Sequence, residues 1–213
     1  MSDETICHDG RPSATWSRVV RLVAIALVAL AASPANAHTG GTIGGFANGF
    51  QHPLSGADHL LAMFAVGVWG AQIGGRSIWE LPVVFPLIMA FGGTLGMLGP
   101  WGPQETVVAM GIGFSVLGLG LAIATIWAPV EMVSVLAVGI FAMFHGYAHG
   151  IELPKAVDPV AYGAGFMAAT GCIHCAGIGF GLLLGRRNLH GPVGRVAGAL
   201  IGLAGIWFLC WPP

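Results

Sequence analysis

The sequence predicts an all-α fold: a polytopic integral membrane protein with six transmembrane helices after a cleaved signal peptide. Three observations carry that expectation. Of 213 residues, 55% are hydrophobic and 8% charged, whereas a soluble domain uses about 25% charged residues to cover its surface. The apolar residues gather into runs near the ~20 residues a helix needs to cross a ~30 Å hydrocarbon core. Many of the 35 glycines sit inside those runs, where small residues let helix backbones approach closely in lipid. Eight Lys plus Arg against nine Asp plus Glu leave no basic excess to neutralise phosphates, which argues against a nucleic-acid partner.

The first element is the leader, residues 1–37. Arg18 and Arg21 precede the apolar run LVAIALVALAA, and Ala35 and Ala37 occupy the small-residue cleavage positions before His38. Charge, length and cleavage site are those of a secretory signal peptide, and the run is short for a membrane span. Its removal leaves one transmembrane domain, 38–213, with an extracytoplasmic amino terminus. There the α-amine and imidazole of His38 would make a two-point chelate, unless His38 is simply the first mature residue.

Six spans follow at 57–75, 80–99, 104–126, 130–149, 160–185 and 195–211. Polar punctuation separates them: GGRSIWE, GPWGPQE, WAPVE, ELPKAVDP and GRRNLHGPVGR. They lack the alternation of lipid-facing barrel strands, and in lipid each backbone group must be satisfied within its own segment, so helices are expected.

Span one opens with QHPLSGADH, which holds His52, Asp58 and His59. Ser55 and Asp58 have the spacing of a helix amino-terminal capping box, which would place Asp58 and His59 in the first turn and His52 in the loop before it. Span four closes with FHGYAHGIELP, which holds His145, His149 and Glu152. Offsets of four and seven fall within roughly 60° on a helix, so these three share a face. Span five carries ATGCIHCAG, with His174 near mid-span between Cys172 and Cys175. The two thiols are either soft ligands for a passing ion or small packing residues, and His174 either lines the path or bonds a neighbouring helix. His190, in the loop before span six, reads as a solvated loop residue. Cys7 leaves with the leader, and Cys172, Cys175 and Cys210 are an odd number inside spans, so free thiols are expected. GxxxG pairs such as Gly92–Gly96 and Gly198–Gly202 serve contacts within or between protomers equally well, which leaves the oligomeric state open.

With the amino terminus outside, the loops after spans one, three and five lie inside. Those loops hold Arg76, Arg186, Arg187 and Arg195, against Lys155 alone outside. The positive-inside rule therefore agrees with the leader, and both termini of a bacterial inner-membrane protein would be extracytoplasmic. The start of span one and the end of span four then share the outer side, so their polar clusters can form one site. At the centre of a membrane helix an ionisable residue costs about 2.5–3.5 kcal/mol, so such residues tend to face protein or water. Capping or interfacial anchoring explains either cluster alone, but explains both on one face poorly. Imidazole nitrogens with carboxylate oxygens suit Ni²⁺, Co²⁺, Zn²⁺ or Cu²⁺ rather than Ca²⁺ or Mg²⁺.

The motifs HPLSGADH at 52–59, FHGYAHGIE at 144–152 and ATGCIH at 169–174 resemble those of the HupE/UreJ family of bacterial nickel or cobalt membrane transporters. The resemblance extends over nearly all of the mature chain, with Cys172 and Cys175 departing from the family's usual small or apolar residues. It implies that His52, Asp58, His59, His145, His149 and Glu152 take part in metal uptake. It further implies supply to hydrogenase or urease maturation, with nickel chaperones as downstream partners.

The expected function is therefore import of a divalent metal, nickel before cobalt, with His174 further along the path. The ion is cargo, and no permanently bound cofactor is expected. The chain has no phosphate-binding G-x-x-x-x-G-K-[ST] loop, leaving facilitated diffusion or ion coupling. Two rivals stand beside this reading: an intramembrane metal-dependent hydrolase and a metal-binding assembly factor that does not transport. Against the hydrolase, Gly146 occupies the position after the first histidine where a zinc-protease helix carries Glu.

Overall fold

A computed structural model describes residues 44–99, 103–153, 158–186 and 190–211. The leader 1–37, with Cys7, lies outside the described residues, as do His38, Lys155, Arg187 and the side chains of Arg186 and His190. The described chain is helical: α1 Gly44–Ser55, α2 Ala57–Ile73, α3 Ser77–Met97, α4 Glu105–Thr125, α5 Glu131–Glu152, α6 Pro159–Arg186, a π-helical turn His190–Gly194, and α7 Arg195–Cys210. Among the described residues there is no strand.

Five helices are long and apolar enough to cross a membrane, and the number is six if the bent pair α1 and α2 makes one broken span. Two expectations about this region need correction. The segment holding His52 is a helix, not a loop, and it meets α2 at 82°. The capping box does not form: Gly56 caps α2 in an extended conformation with no side-chain bond. Instead the Ser55 hydroxyl donates back to the His52 carbonyl at 2.7 Å. Gly56 stands at the break in an extended conformation, and a Cβ there would press on Asp58 Oδ1 at 3.0 Å and His59 Nδ1 at 3.1 Å. The last span also differs, because the π-helical turn lengthens it to Gly191–Cys210.

Helix α2 runs through the middle of the bundle, buried almost continuously from Asp58 to Ala71. A helix that is apolar all round belongs in an interior. By contrast α3 is two-faced: Leu81, Phe85, Met89, Gly92 and Gly96 are buried, while Trp79, Val83, Leu87, Phe91 and Leu95 form an exposed stripe four residues apart. That stripe is the face a bilayer would cover.

Glycines set the closest helix crossings. A Cβ at Gly92 would meet the Met143 carbonyl and one at Gly146 the Met89 carbonyl, so α3 and α5 touch backbone to backbone. Gly120 and Gly198 do the same between α4 and α7, and Gly67 and Gly177 between α2 and α6. The GxxxG pairs named from the sequence thus make contacts within one chain.

At the end of the bundle where α2 finishes, polar groups pair with one another. The Trp69 indole donates to the Trp127 carbonyl at 2.8 Å, and the Gln72 amide donates to the Ile123 carbonyl at 3.3 Å. Arg76 lies 3.0 Å from Glu80 and 3.9 Å from Glu131. The two hydrogen bonds tie the end of α2 to the end of α4, and Arg76, in the turn before α3, bridges the starts of α3 and α5.

Candidate metal site

The opposite end of the bundle brings together the two polar clusters. The repeated His-Gly pattern of α5 explains how. Neighbouring helix positions differ by about 100°, so Gly146 and Gly150 face α3 while His145 and His149 turn toward α2. The glycines let α5 seat closely, and the imidazoles are carried inward. His145 is fully buried and His149 nearly so.

Three helices supply the groups. His52 comes from the last turn of α1, Asp58 and His59 from the first turn of α2, and His145, His149 and Glu152 from α5. One donor atom each of His52, His149 and Glu152 lie within 4.8 Å of one another. Glu152 Oε2 is 3.7 Å from His52 Nε2 and 4.0 Å from His149 Nδ1. Deeper in, the His59 ring centroid lies 4.2 Å from that of His149 and 4.8 Å from that of His145. All four imidazoles thus form one contiguous group, walled by Phe166 at 4.4 Å from His149 and Phe85 at 5.6 Å from His145. A cavity of about 220 Å³ between α3, α5 and α6, lined mostly by apolar side chains, reaches His149.

The hydrogen bonds fix which nitrogens are free. Ser115 Oγ donates its proton to the Ile112 carbonyl at 2.6 Å, so its 2.8 Å contact with His145 Nε2 requires the imidazole to donate. The lone pair of His145 is then on Nδ1, which has no partner. Asp58 Oδ1 accepts from His59 Nδ1 at 2.9 Å, which leaves His59 Nε2 bare and likewise without a partner. Neither nitrogen of His149 is hydrogen-bonded. A buried polar group without a partner costs about 1–3 kcal/mol, so these nitrogens are the donor atoms the cluster has free. Orientation of a ligating imidazole by a carboxylate or hydroxyl on its other nitrogen is a recurrent feature of metal sites.

Asp58 thus meets the cluster through its bond to His59, and Ser115, which the sequence alone did not single out, holds the second nitrogen of His145. One signal was present: a lone hydroxyl in the apolar run GIGFSVLG of α4 needs a buried partner.

His174 is buried away from this group, edge-on to Phe85 with ring centroids 5.4 Å apart. Cys172 and Cys175 do not share its buried face. Both thiols are free and exposed, turned to the outer surface of α6. The reason is helical phase: residues two before and one after a buried position point about 160° and 100° away from it.

The fold and this cluster define a class, a multi-pass helical membrane protein with a histidine-rich, carboxylate-assisted candidate metal site. The "HupE / UreJ protein" family model matches residues 25–208. The chain is also 42% identical over 186 residues to "Protein HupE" of Rhizobium leguminosarum bv. viciae, covering 86% of this chain and 92% of that protein. The chain belongs to the HupE/UreJ family. No solved structure matches it.

Proposed function

We propose that this protein imports a divalent transition-metal ion, nickel first and cobalt second, across the bacterial inner membrane for hydrogenase or urease maturation. One observation carries the reading: buried nitrogens of His59, His145 and His149 have no hydrogen-bond partner, their rings lie in contact, and His149 completes a group with His52 and Glu152 whose donor atoms lie within 4.8 Å of one another. Nitrogen donors with a carboxylate suit Ni²⁺ and Co²⁺. Arg76 and Arg195 begin segments at the end away from the cluster, which supports an outward-facing site by the positive-inside rule.

In this reading His52 and Glu152, the more exposed members, meet the hydrated ion first. His149 shares contact distance with both these groups and the deeper His59, so it passes the ion from the mouth to the interior. Each imidazole replaces a water without adding charge, and Glu152 and Asp58 offset the charge of the cation. The site must release its ion onward, so its hold is moderate. Ligation needs neutral histidine, and uptake falls as external pH drops. Cytoplasmic nickel chaperones would receive the ion.

Timed uptake of radiolabelled nickel by vesicles containing the purified chain tests this. Saturable uptake that competing cobalt inhibits is expected. Saturable binding without flux would turn the reading into that of an assembly factor, and turnover of lipid or peptide into that of a hydrolase.

A further inference from the structure

We propose that His174, Thr170 and the backbone carbonyl of Pro82 form a second station for the transported ion, in series with the first and separated from it by the ring of Phe85. This inference rests on the transport reading above. Four observations point to it.

His174 is 1% exposed and neither of its ring nitrogens has a hydrogen-bond partner. Thr170 precedes it by four residues on α6, is fully buried, and its hydroxyl oxygen is also unpartnered. Side chains four apart on a helix stand side by side, with Cβ atoms about 5–6 Å apart. On the facing helix, α3 contains both Pro82 and Pro86. Pro86 has no N–H, so the carbonyl four residues before it, that of Pro82, is left out of the helix ladder. That carbonyl approaches the His174 ring without making a hydrogen bond to it.

The three groups are an imidazole, a hydroxyl and a carbonyl, each with a lone pair; the imidazole and the hydroxyl have no protein hydrogen-bond partner, and the carbonyl lacks its helix donor because Pro86 has no N–H. Two helices bring them to one place inside the bundle. A divalent transition metal with some of its water retained accepts all three, whereas an anion would be repelled by the carbonyl and hydroxyl oxygens. Phe85 lies between this place and the first cluster, with ring centroids 5.6 Å from His145 and 5.4 Å from His174. Its ring offers no lone pair comparable to theirs, so the ion occupies two discrete stops rather than a continuous ladder of ligands. The stops differ in strength. The first has four imidazoles with two carboxylates nearby, and the second has one imidazole and no carboxylate, which orders them for inward release.

The test uses the full-length protein, with nickel ions counted by equilibrium dialysis in detergent and nickel flux measured in vesicles. The wild type is expected to bind two ions of unequal affinity. His174→Gln, which keeps a polar side chain of similar reach, is expected to lose the weaker ion. Its maximal uptake should fall at least tenfold with half-saturation unchanged within twofold. The near-isosteric Thr170→Val should weaken the second ion, and Thr170→Ser should restore it. His149→Ala should lose the tighter ion and keep the weaker. Two ions in His174→Gln, or a single wild-type ion that only His149→Ala removes, would overturn the second station and leave His174 to buried water. Neither binding nor flux in the wild type would remove the transport reading, and this inference with it.

Discussion

The two ends of the bundle treat buried polar groups in opposite ways. Where α2 finishes, the Trp69 and Gln72 donors each find a carbonyl within the protein, and among the described residues one oxygen of Glu80 is left over there. Where α2 begins, His59 and His145 each have a partner on one ring nitrogen only, Asp58 and Ser115 respectively, and His149 has none on either. The other nitrogens are left bare. Paired groups tie helices together, while the bare imidazole nitrogens are the atoms on which the proposed metal site rests. The difference sets the polar groups that close one end of the bundle apart from the unpartnered ones of the proposed site.

Removing a bare nitrogen should produce the largest effect. His59→Ala or His149→Ala is expected to lower nickel uptake at least 100-fold with membrane insertion and protein level retained; near-normal flux in either would erase the contrast between the ends. Next comes the seat of α5. Gly146→Ala drives a methyl into the Met89 backbone, an overpacking expected to cost about 1–3 kcal/mol, read as a lower midpoint of thermal unfolding in detergent. Ser115→Ala should follow, since it removes the acceptor that holds His145 in its donating orientation. Loss of such a second partner typically costs about 10–100-fold in metal affinity, and an unchanged dissociation constant would show that the tautomer is set elsewhere. At the closed end, Arg76→Gln is expected to change nickel affinity less than twofold, because an exposed ion pair contributes about 0–1 kcal/mol. Smallest of all, Cys172→Ala with Cys175→Ala should leave the nickel-to-cobalt uptake ratio unaltered, both thiols being exposed on α6.

Much of the architecture was legible because lipid imposes simple rules on sequence. Long apolar runs became helices close to the expected bounds, and the spacing of His145, His149 and Glu152 placed them on one face because α5 continues to Glu152. Helix α1 was not legible. Its sequence, GGFANGFQHPLS, has weak intrinsic helix preference, and tertiary contact overrides it: Gly49 packs on the Tyr162 backbone and Gly165 on that of Phe46. The rotation of α6 was hidden for another reason. In a span apolar on every side, periodicity does not show which face turns inward, so Cys172 and Cys175 could not be oriented before His174 was seen buried. Ser115 was obscured by distance, since its partner His145 lies on another helix and only the fold joins them.

Nickel K-edge X-ray absorption on the full-length protein loaded with one ion per chain addresses the central claim most directly. Several imidazole nitrogens with carboxylate or water oxygen in the first shell are predicted, and the imidazole scattering should diminish in His59→Ala. A shell of oxygen alone, or one containing sulfur, would contradict the account.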